Sequence, residues 1–238
     1  MSRGGRSFRR FLKGAAILVL LVPGTWGVLR ALGAGISRVW QENPRVFWPL
    51  AGGAAAYLVL ERLFSRPVRV YVFSHELTHA LSCALSGGRV YDFQASSHGG
   101  HVKVSKTNLW IALSPYFVPF YALLVFLAYR LAGVWWDVAP QSAWFQGLVG
   151  AGLAFHVSLT VFALRCHQPD LKVLGFLPSL AVILFGNILF MALFIKILFP
   201  ERVEIGEMTR VFGAGFMEAL RLFEGAARAA WRELRAAF

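Results

Sequence analysis

Long apolar segments recur along the chain, and they constrain its fold more than any other feature. A helix needs roughly 20 mostly apolar residues to cross the hydrocarbon of a bilayer. Six stretches come close to this length or exceed it. They are Gly14–Leu32, Val46–Leu60, Val68–Leu85, Leu109–Leu131, Ala143–Leu164 and Val173–Phe199. The sequence therefore predicts an all-α fold, a polytopic membrane helix bundle of about six spans.

The composition excludes the main classes of soluble protein. Of the 238 residues, 57% are hydrophobic and 15% are charged, whereas an ordinary soluble domain has about 25% charged residues. A disordered chain would need low hydrophobicity. A secreted disulfide scaffold would need more cysteines than Cys83 and Cys166. We therefore expect a multi-pass integral membrane protein that has the lipid bilayer as its partner.

The distribution of positive charge indicates the orientation of a membrane protein and does not indicate a nucleic-acid partner. The net charge is +12, but the charged residues are dispersed, and the segment 200–238 is neutral. Residues 1–13 contain five Lys and Arg and no acidic residue, directly before the first apolar stretch. Such a flank is typical of the cytoplasmic side of a span. We interpret the first stretch as a retained span, with a cleaved signal peptide as the alternative.

The chain divides by its pattern into three parts. Residues 1–45 form a basic flank and first span, residues 46–199 a transmembrane core, and residues 200–238 a helical tail. Within the core, the segment 89–106 has β-branched and aromatic residues on both sides of His98-Gly99-Gly100. This pattern predicts a β-hairpin. The tail carries one apolar stripe, which predicts a helix that lies on the membrane, binds a partner or packs on the protein's own spans. Its residues are Phe212, Phe216, Leu220, Phe223, Ala227, Trp231, Leu234 and Phe238.

The motif His75-Glu76-Leu77-Thr78-His79 lies inside the third apolar stretch. On a helix, residues four apart share a face, so His75 and His79 can bind one zinc ion. Glu76 lies beside them and can accept a proton from water and pass it to a leaving amine. The alternative is a polar helix end that carries two hydrogen-bonded histidines without a function. Ionisable groups are costly in an apolar segment, and this cost favours a functional role.

A catalytic zinc bound by two histidines needs a third protein ligand. After Glu76 the next glutamate is Glu201, in the tail, so a carboxylate ligand in the core must be one of three aspartates. Asp92 is in the predicted hairpin, and Asp137 is in a connecting loop. Asp170 follows Pro169, a helix breaker that can aim the carboxylate inward. We predict Asp170 as the third ligand. His167 is the main alternative, and His101 and His156 are weaker ones.

These features resemble the site-2 protease family of intramembrane zinc metalloproteases. The resemblance covers roughly residues 46–199 and is closest to the compact bacterial branch that lacks a PDZ domain. It depends on the apolar helix with HELTHA, the hairpin that follows, and a Pro-Asp pair at a later helix break. Thr78 stands where the family usually has Gly, and Leu171 follows Asp170 where the family has Gly.

The resemblance implies a zinc metalloendopeptidase of the bacterial inner membrane that binds one Zn²⁺ per chain and hydrolyses membrane-anchored protein substrates. It implies His75, His79 and Asp170 as metal ligands and Glu76 as the catalytic base. The hairpin would lie beside the site and pair with an extended substrate by strand addition. The alternatives are a proton-coupled transporter, in which histidines and an aspartate relay protons, and a catalytically inactive metal-binding membrane scaffold. A transporter would favour internal repeats, and the sequence has none that we detect.

Overall fold

The computed structural model describes residues 3–136, 142–166 and 168–236, and these are mostly helical, as predicted. The helices are α1 (Arg3–Glu42), α2 (Trp48–Phe64), α3 (Val68–Leu85), α4 (Leu109–Leu113), α5 (Phe120–Trp135), α6 (Ala143–Arg165), α7 (Phe176–Leu198) and α8 (Ile205–Ala236). The strands are β1 (Val90–Ser96) and β2 (Gly99–Val104), and short 3₁₀ turns cover Pro44–Phe47, Ser114–Tyr116 and Pro169–Val173.

Three of the described helices are long and apolar enough to cross a membrane. They are α1 from Phe11 onward, α6 and α7. A fourth span results if the segment Leu109–Tyr116 and helix α5 count as one bent span. Within the described residues, α2 and α3 do not meet the same criterion of length and composition. The structure therefore supports membrane association, whereas the count of six spans stays a prediction.

Prolines divide the fourth apolar stretch. We predicted one segment over Leu109–Leu131, but the chain bends by 82° between the segment ending at Tyr116 and helix α5. Pro115 lies in the 3₁₀ turn that ends α4, and Pro119 caps the start of α5. Proline lacks a backbone N–H and restricts the residue before it, so an α-helix does not continue through this region. The break lies next to the motif helix α3, which the turn Ser114–Tyr116 contacts.

The described chain forms two compact units. One unit spans Asn43–Ser179 and contains the motif helix and the hairpin. Within it, α2 and α6 approach closely at Gly53, where a β carbon would collide with the Gly147 carbonyl oxygen. Small residues allow helix backbones to come this close in membrane proteins. These two units are defined by contacts in space and do not test the division of the sequence. The division into residues 1–45, 46–199 and 200–238 therefore stays a prediction.

The other unit combines α1, the part of α7 from Leu180 onward, and α8. Two ion pairs join α1 to α8, Arg30 with Glu218 at 2.6 Å and Arg38 with Glu207 at 2.5 Å. The first half of the predicted apolar stripe is partly buried, because Phe212 packs at Gly27. From residue 221 to residue 235 every side chain of α8 is exposed. Phe238, the last residue of the stripe, lies outside the described residues.

The predicted hairpin is present, with its turn two residues before the Gly99-Gly100 pair. Ser96 pairs with Gly99, so Ser97 and His98 form the turn. The Ser96 hydroxyl donates to the Gly99 carbonyl and accepts from the His98 N–H, which closes the turn. Gly99 has a φ of 136°, a value that favours glycine, and it begins β2. The hairpin packs on α3, where the Phe73 and Phe93 rings lie 5.8 Å apart.

Helix α3 has the bounds that its sequence predicted. Pro67 precedes the first helical residue, a position where its missing N–H costs nothing. At the other end Gly87 has a φ of 71°, and the Gly88 N–H donates to the Cys83 carbonyl. This is the hydrogen-bond pattern of a Schellman cap, which ends a helix at a glycine. The cap fixes the helix end from which the chain enters the hairpin.

Candidate metal centre

The two motif histidines lie side by side on α3, as their spacing predicted. His75 is 9% exposed and His79 is 8% exposed, so both imidazoles are almost fully buried. Their ring centroids are 4.9 Å apart. Helix α3 therefore presents two imidazole nitrogens on one face that can act as metal ligands, and the residues around them exclude most water.

Asp170 reaches the same point from a distant part of the chain. Pro169 begins the 3₁₀ turn Pro169–Val173 that follows α6, and this turn holds the Asp170 carboxylate. Its Oδ2 atom is 3.7 Å from the His75 Nε2 and 3.6 Å from the His79 Nε2. Ligand atoms of the three residues all lie within 4.8 Å of one another. In the described part of the chain this is the one such group, and its geometry can hold a metal ion.

The backbone of α4 sets the orientation of His79. The His79 Nδ1–H donates to the Ile111 carbonyl oxygen at 2.6 Å. Inside a helix this oxygen would accept from the residue four positions later, which is Pro115 and has no N–H. Asn108 caps the start of α4 by accepting from the Ile111 N–H. Because Nδ1 carries the proton, the Nε2 lone pair is left for a metal, which is the usual arrangement of metal-binding histidines.

Tyr116 orients Asp170 in a similar way. Its hydroxyl donates to the Asp170 Oδ2 at 2.8 Å and also contacts the Gln168 Oε1 at 3.0 Å. Tyr116 is fully buried. Burial raises the pKa of Asp170, but the imidazoles of His75 and His79 and the Tyr116 hydroxyl lower it more, so its pKa is well below the usual range. Asp170 is therefore ionised at neutral pH, as a metal ligand must be.

A cavity of about 370 Å³ opens onto these residues. His75, His79, Asp170 and Glu76 all line it, and so does strand β2 at Gly100. Glu76 is 9% exposed, and a β carbon on Gly100 would lie 2.7 Å from the Glu76 Cγ. The hairpin thus forms one wall of the cavity and packs directly on Glu76. A cavity of this size admits water molecules, and Glu76 and the three ligand residues all line it.

The other candidates from the sequence either do not join the three-residue group or lie outside the described residues. Asp92 contacts His101 within the hairpin, with 3.0 Å between the Asp92 Oδ2 and the His101 Nε2. The bond to His101 lowers the pKa of Asp92. Neither residue belongs to the three-residue group, although His101 lines the cavity. His156 is buried on α6 and lines a second, smaller cavity together with His75, but it does not belong to the three-residue group. His167 and Asp137 lie outside the described residues.

Sequence reasoning missed two groups at this centre. One is the Ile111 carbonyl, which the sequence could have indicated. Pro115 stands four residues after Ile111 and has no N–H, so the Ile111 oxygen lacks a hydrogen-bond donor from its own helix. The other is Tyr116, whose contact with Asp170 joins residues far apart in the chain and leaves no local pattern. The Gln168 Oε1 lies 3.0 Å from the Tyr116 hydroxyl, and the Gln168 amide N–H donates to the Ala163 carbonyl.

The donor set suits zinc by its chemistry. Two imidazole nitrogens and one carboxylate oxygen are ligands that Zn²⁺ takes in catalytic sites, where a fourth position stays open. The cavity provides space at that position.

We compared the chain with protein-family models, with curated proteins and with solved structures, and found no match in any of the three comparisons.

Proposed function

We propose that this protein is an intramembrane zinc metalloendopeptidase that hydrolyses peptide bonds of membrane-anchored proteins. The observation that carries the proposal is the convergence of His75, His79 and Asp170 within 4.8 Å, at a cavity that Glu76 also lines. This constellation occurs in a chain with three helices fit to cross a membrane. The proposed location is a bacterial inner membrane, with the basic segment 1–13 on its cytoplasmic side.

In this proposal His75, His79 and Asp170 hold one zinc ion per chain. When bound, zinc supplies Lewis acidity, which polarises a carbonyl group and makes a water molecule more acidic. Glu76 accepts a proton from the attacking water and delivers it to the amine that leaves. A purely structural metal site would need no base at this position. Burial of Glu76 strengthens its electrostatic interactions with reacting groups in the cavity.

The hairpin offers a place for the substrate backbone. A helical substrate hides its carbonyls in hydrogen bonds and must unwind before cleavage. In the described sheet β2 pairs with β1 alone, so its second edge has no strand partner there. The cavity is lined by Gly100, Val102 and Val104 of this strand. An extended segment that adds to this edge would lie along the cavity wall, beside Glu76.

A cleavage assay tests the proposal. The full-length protein, purified in detergent with zinc, is incubated with single-span peptides anchored in micelles, and fragments are identified by mass spectrometry. We expect cleavage within or next to the span, which stops when a chelator removes the metal and resumes when zinc is restored. Absence of cleavage over a broad set of such peptides, in protein that contains zinc, would favour the scaffold or the transporter.

Tyr116 provides a test of the centre's hydrogen bonds. A Tyr116→Phe variant removes the hydroxyl that donates to Asp170 and leaves the ring in place. Loss of such an orienting contact typically weakens metal binding about 10- to 100-fold. We expect this decrease in zinc affinity in a competition titration with a coloured chelator. The matched control is Tyr91→Phe, on an exposed tyrosine of the hairpin. Equal affinity in both variants would contradict the role given to Tyr116.

A further inference from the structure

A groove runs along the surface between the second halves of α2 and α6, away from the metal centre. It consists of two cavities of about 580 Å³ and 310 Å³. Both are lined by Leu58, Arg66 and Phe162, so they adjoin and form one continuous groove. None of the three proposed metal ligands lines either cavity. The groove is therefore a feature that the proposed catalytic chemistry leaves without a role.

The groove changes from apolar to basic along its length. Its α6 wall begins with Ala154, Val157 and Val161 and ends with Arg165, the last residue of a helix fit to cross a membrane. At 1.5 Å per residue, Ala154 and Arg165 are about 17 Å apart along the helix, which is close to half of the ~30 Å hydrocarbon thickness. The apolar part thus matches the depth of one leaflet, and the basic part matches its polar boundary.

The basic end has more positive than negative side chains among the residues that line it. Arg62, Arg66 and Arg165 line the groove together with Glu61. The Arg66 Nε donates to the Glu61 Oε1 at 2.8 Å, and the Arg66 guanidinium lies 5.0 Å from the centre of the Phe162 ring. Within the described residues, Arg62 and Arg165 form no ion pair with a carboxylate. Arg62 lines the larger cavity, Arg165 lines the smaller one and Arg66 lines both, whereas Glu61 is the one carboxylate among the lining residues. The surplus of guanidinium groups makes this part of the groove complementary to an anion.

The local backbone holds this end in a defined shape. Ser65, which also lines the groove, has a φ of 76° and is the one non-glycine residue in the described chain with a positive φ. Such conformations cost free energy and persist where the surroundings impose them. Glu61 is 8% exposed and also accepts from the Ser158 hydroxyl at 2.9 Å, which ties α2 to α6. The groove end is therefore fixed by contacts from both helices.

We propose that this groove binds one anionic phospholipid, independently of the proteolytic function. The lipid phosphate interacts with the Arg62, Arg66 and Arg165 end, and an acyl chain lies along Ala154, Val157 and Val161. Arginine is well suited to this role, because its planar guanidinium forms paired hydrogen bonds with phosphate oxygens. Basic pockets between membrane helices bind lipid headgroups in this way.

Native mass spectrometry of the full-length protein tests the proposal. The protein in detergent is titrated with dioleoylphosphatidylglycerol and, separately, with dioleoylphosphatidylcholine, and the singly bound species is quantified. We expect one phosphatidylglycerol to bind at least about tenfold more tightly than phosphatidylcholine. The double variant Arg62→Gln/Arg165→Gln should lose this preference. The control Arg45→Gln/Arg130→Gln removes the same charge from exposed arginines outside the groove and should keep the preference.

A second variant and a soluble competitor make the test independent of folding defects. Val161 is 44% exposed, so Val161→Trp fills the groove without disturbing the interior and should weaken phosphatidylglycerol binding with all arginines intact. Glycerol phosphate, which lacks acyl chains, should not displace the lipid. The proposal is overturned if phosphatidylcholine binds equally well, if both double variants behave alike, or if glycerol phosphate competes. It is also overturned if Val161→Trp leaves lipid binding unchanged.

Discussion

A Glu76→Gln variant is expected to keep its zinc and to hydrolyse membrane-anchored peptides at least about 100-fold more slowly than the wild type. Positioned acid–base groups typically contribute about 10²- to 10⁴-fold to a rate, and glutamine cannot accept the proton from water. Glutamine has nearly the same shape as glutamate and fits the buried site, where Glu76 is 9% exposed. Fragment yield against time in the detergent assay measures the effect.

The control for this prediction separates a catalytic loss from a general effect of removing a carboxylate. Glu201 is exposed and lies in the other unit, so Glu201→Gln should cleave at the wild-type rate. Zinc content, determined for all three proteins, should be the same. Cleavage by Glu76→Gln at a rate near that of the wild type would refute the role of Glu76 as the base.

A Gly100→Ala variant is expected to reduce cleavage about tenfold or more while zinc remains bound. The new β carbon would lie 2.7 Å from the Glu76 Cγ, from the Val72 Cγ1 and from the Gln94 carbonyl oxygen. Such contacts are too short for a β carbon, so either strand β2 or the Glu76 side chain must move. Overpacking of this kind typically costs about 1–3 kcal/mol of stability. The metal ligands are untouched, so the loss should appear in cleavage and in the thermal unfolding midpoint.

The matched control for this variant is another glycine with free space around it. A β carbon on Gly52 in α2 would have no neighbouring atom within 4 Å, so Gly52→Ala should cleave normally. Alanine also favours the helical conformation over glycine. If Gly100→Ala cleaves as fast as Gly52→Ala, the hairpin does not control the position of Glu76.

The sequence predicted well those features that depend on local patterns. Helix α3 begins after Pro67 and ends before Gly87 because these residues are specific signals for a helix start and a helix end. The shared face of His75 and His79 follows from helical geometry alone. Asp170 could be favoured because acidic residues are rare in the core and Pro169 breaks the helix directly before it.

Features that depend on distant contacts could not be predicted in this way. The contact of Tyr116 with Asp170 joins residues 54 positions apart. The packing of α1 against α8 joins the first and last helices of the chain. The number of spans could not be predicted from local patterns either. Helices α2 and α3 form as predicted but do not meet the criterion of length and composition for a spanning helix. Whether such a helix crosses a bilayer depends on neighbours that bury its polar residues.

The zinc content of the purified protein tests the central claim most directly. We expect one zinc per chain in the wild type by elemental analysis, and at most a small fraction of that in His75→Ala, His79→Ala and Asp170→Ala. The control Asp92→Ala, which alters an exposed carboxylate bound to His101, should keep one zinc per chain. A wild-type protein without zinc after purification in its presence, or full zinc content in the three ligand variants, would contradict the account.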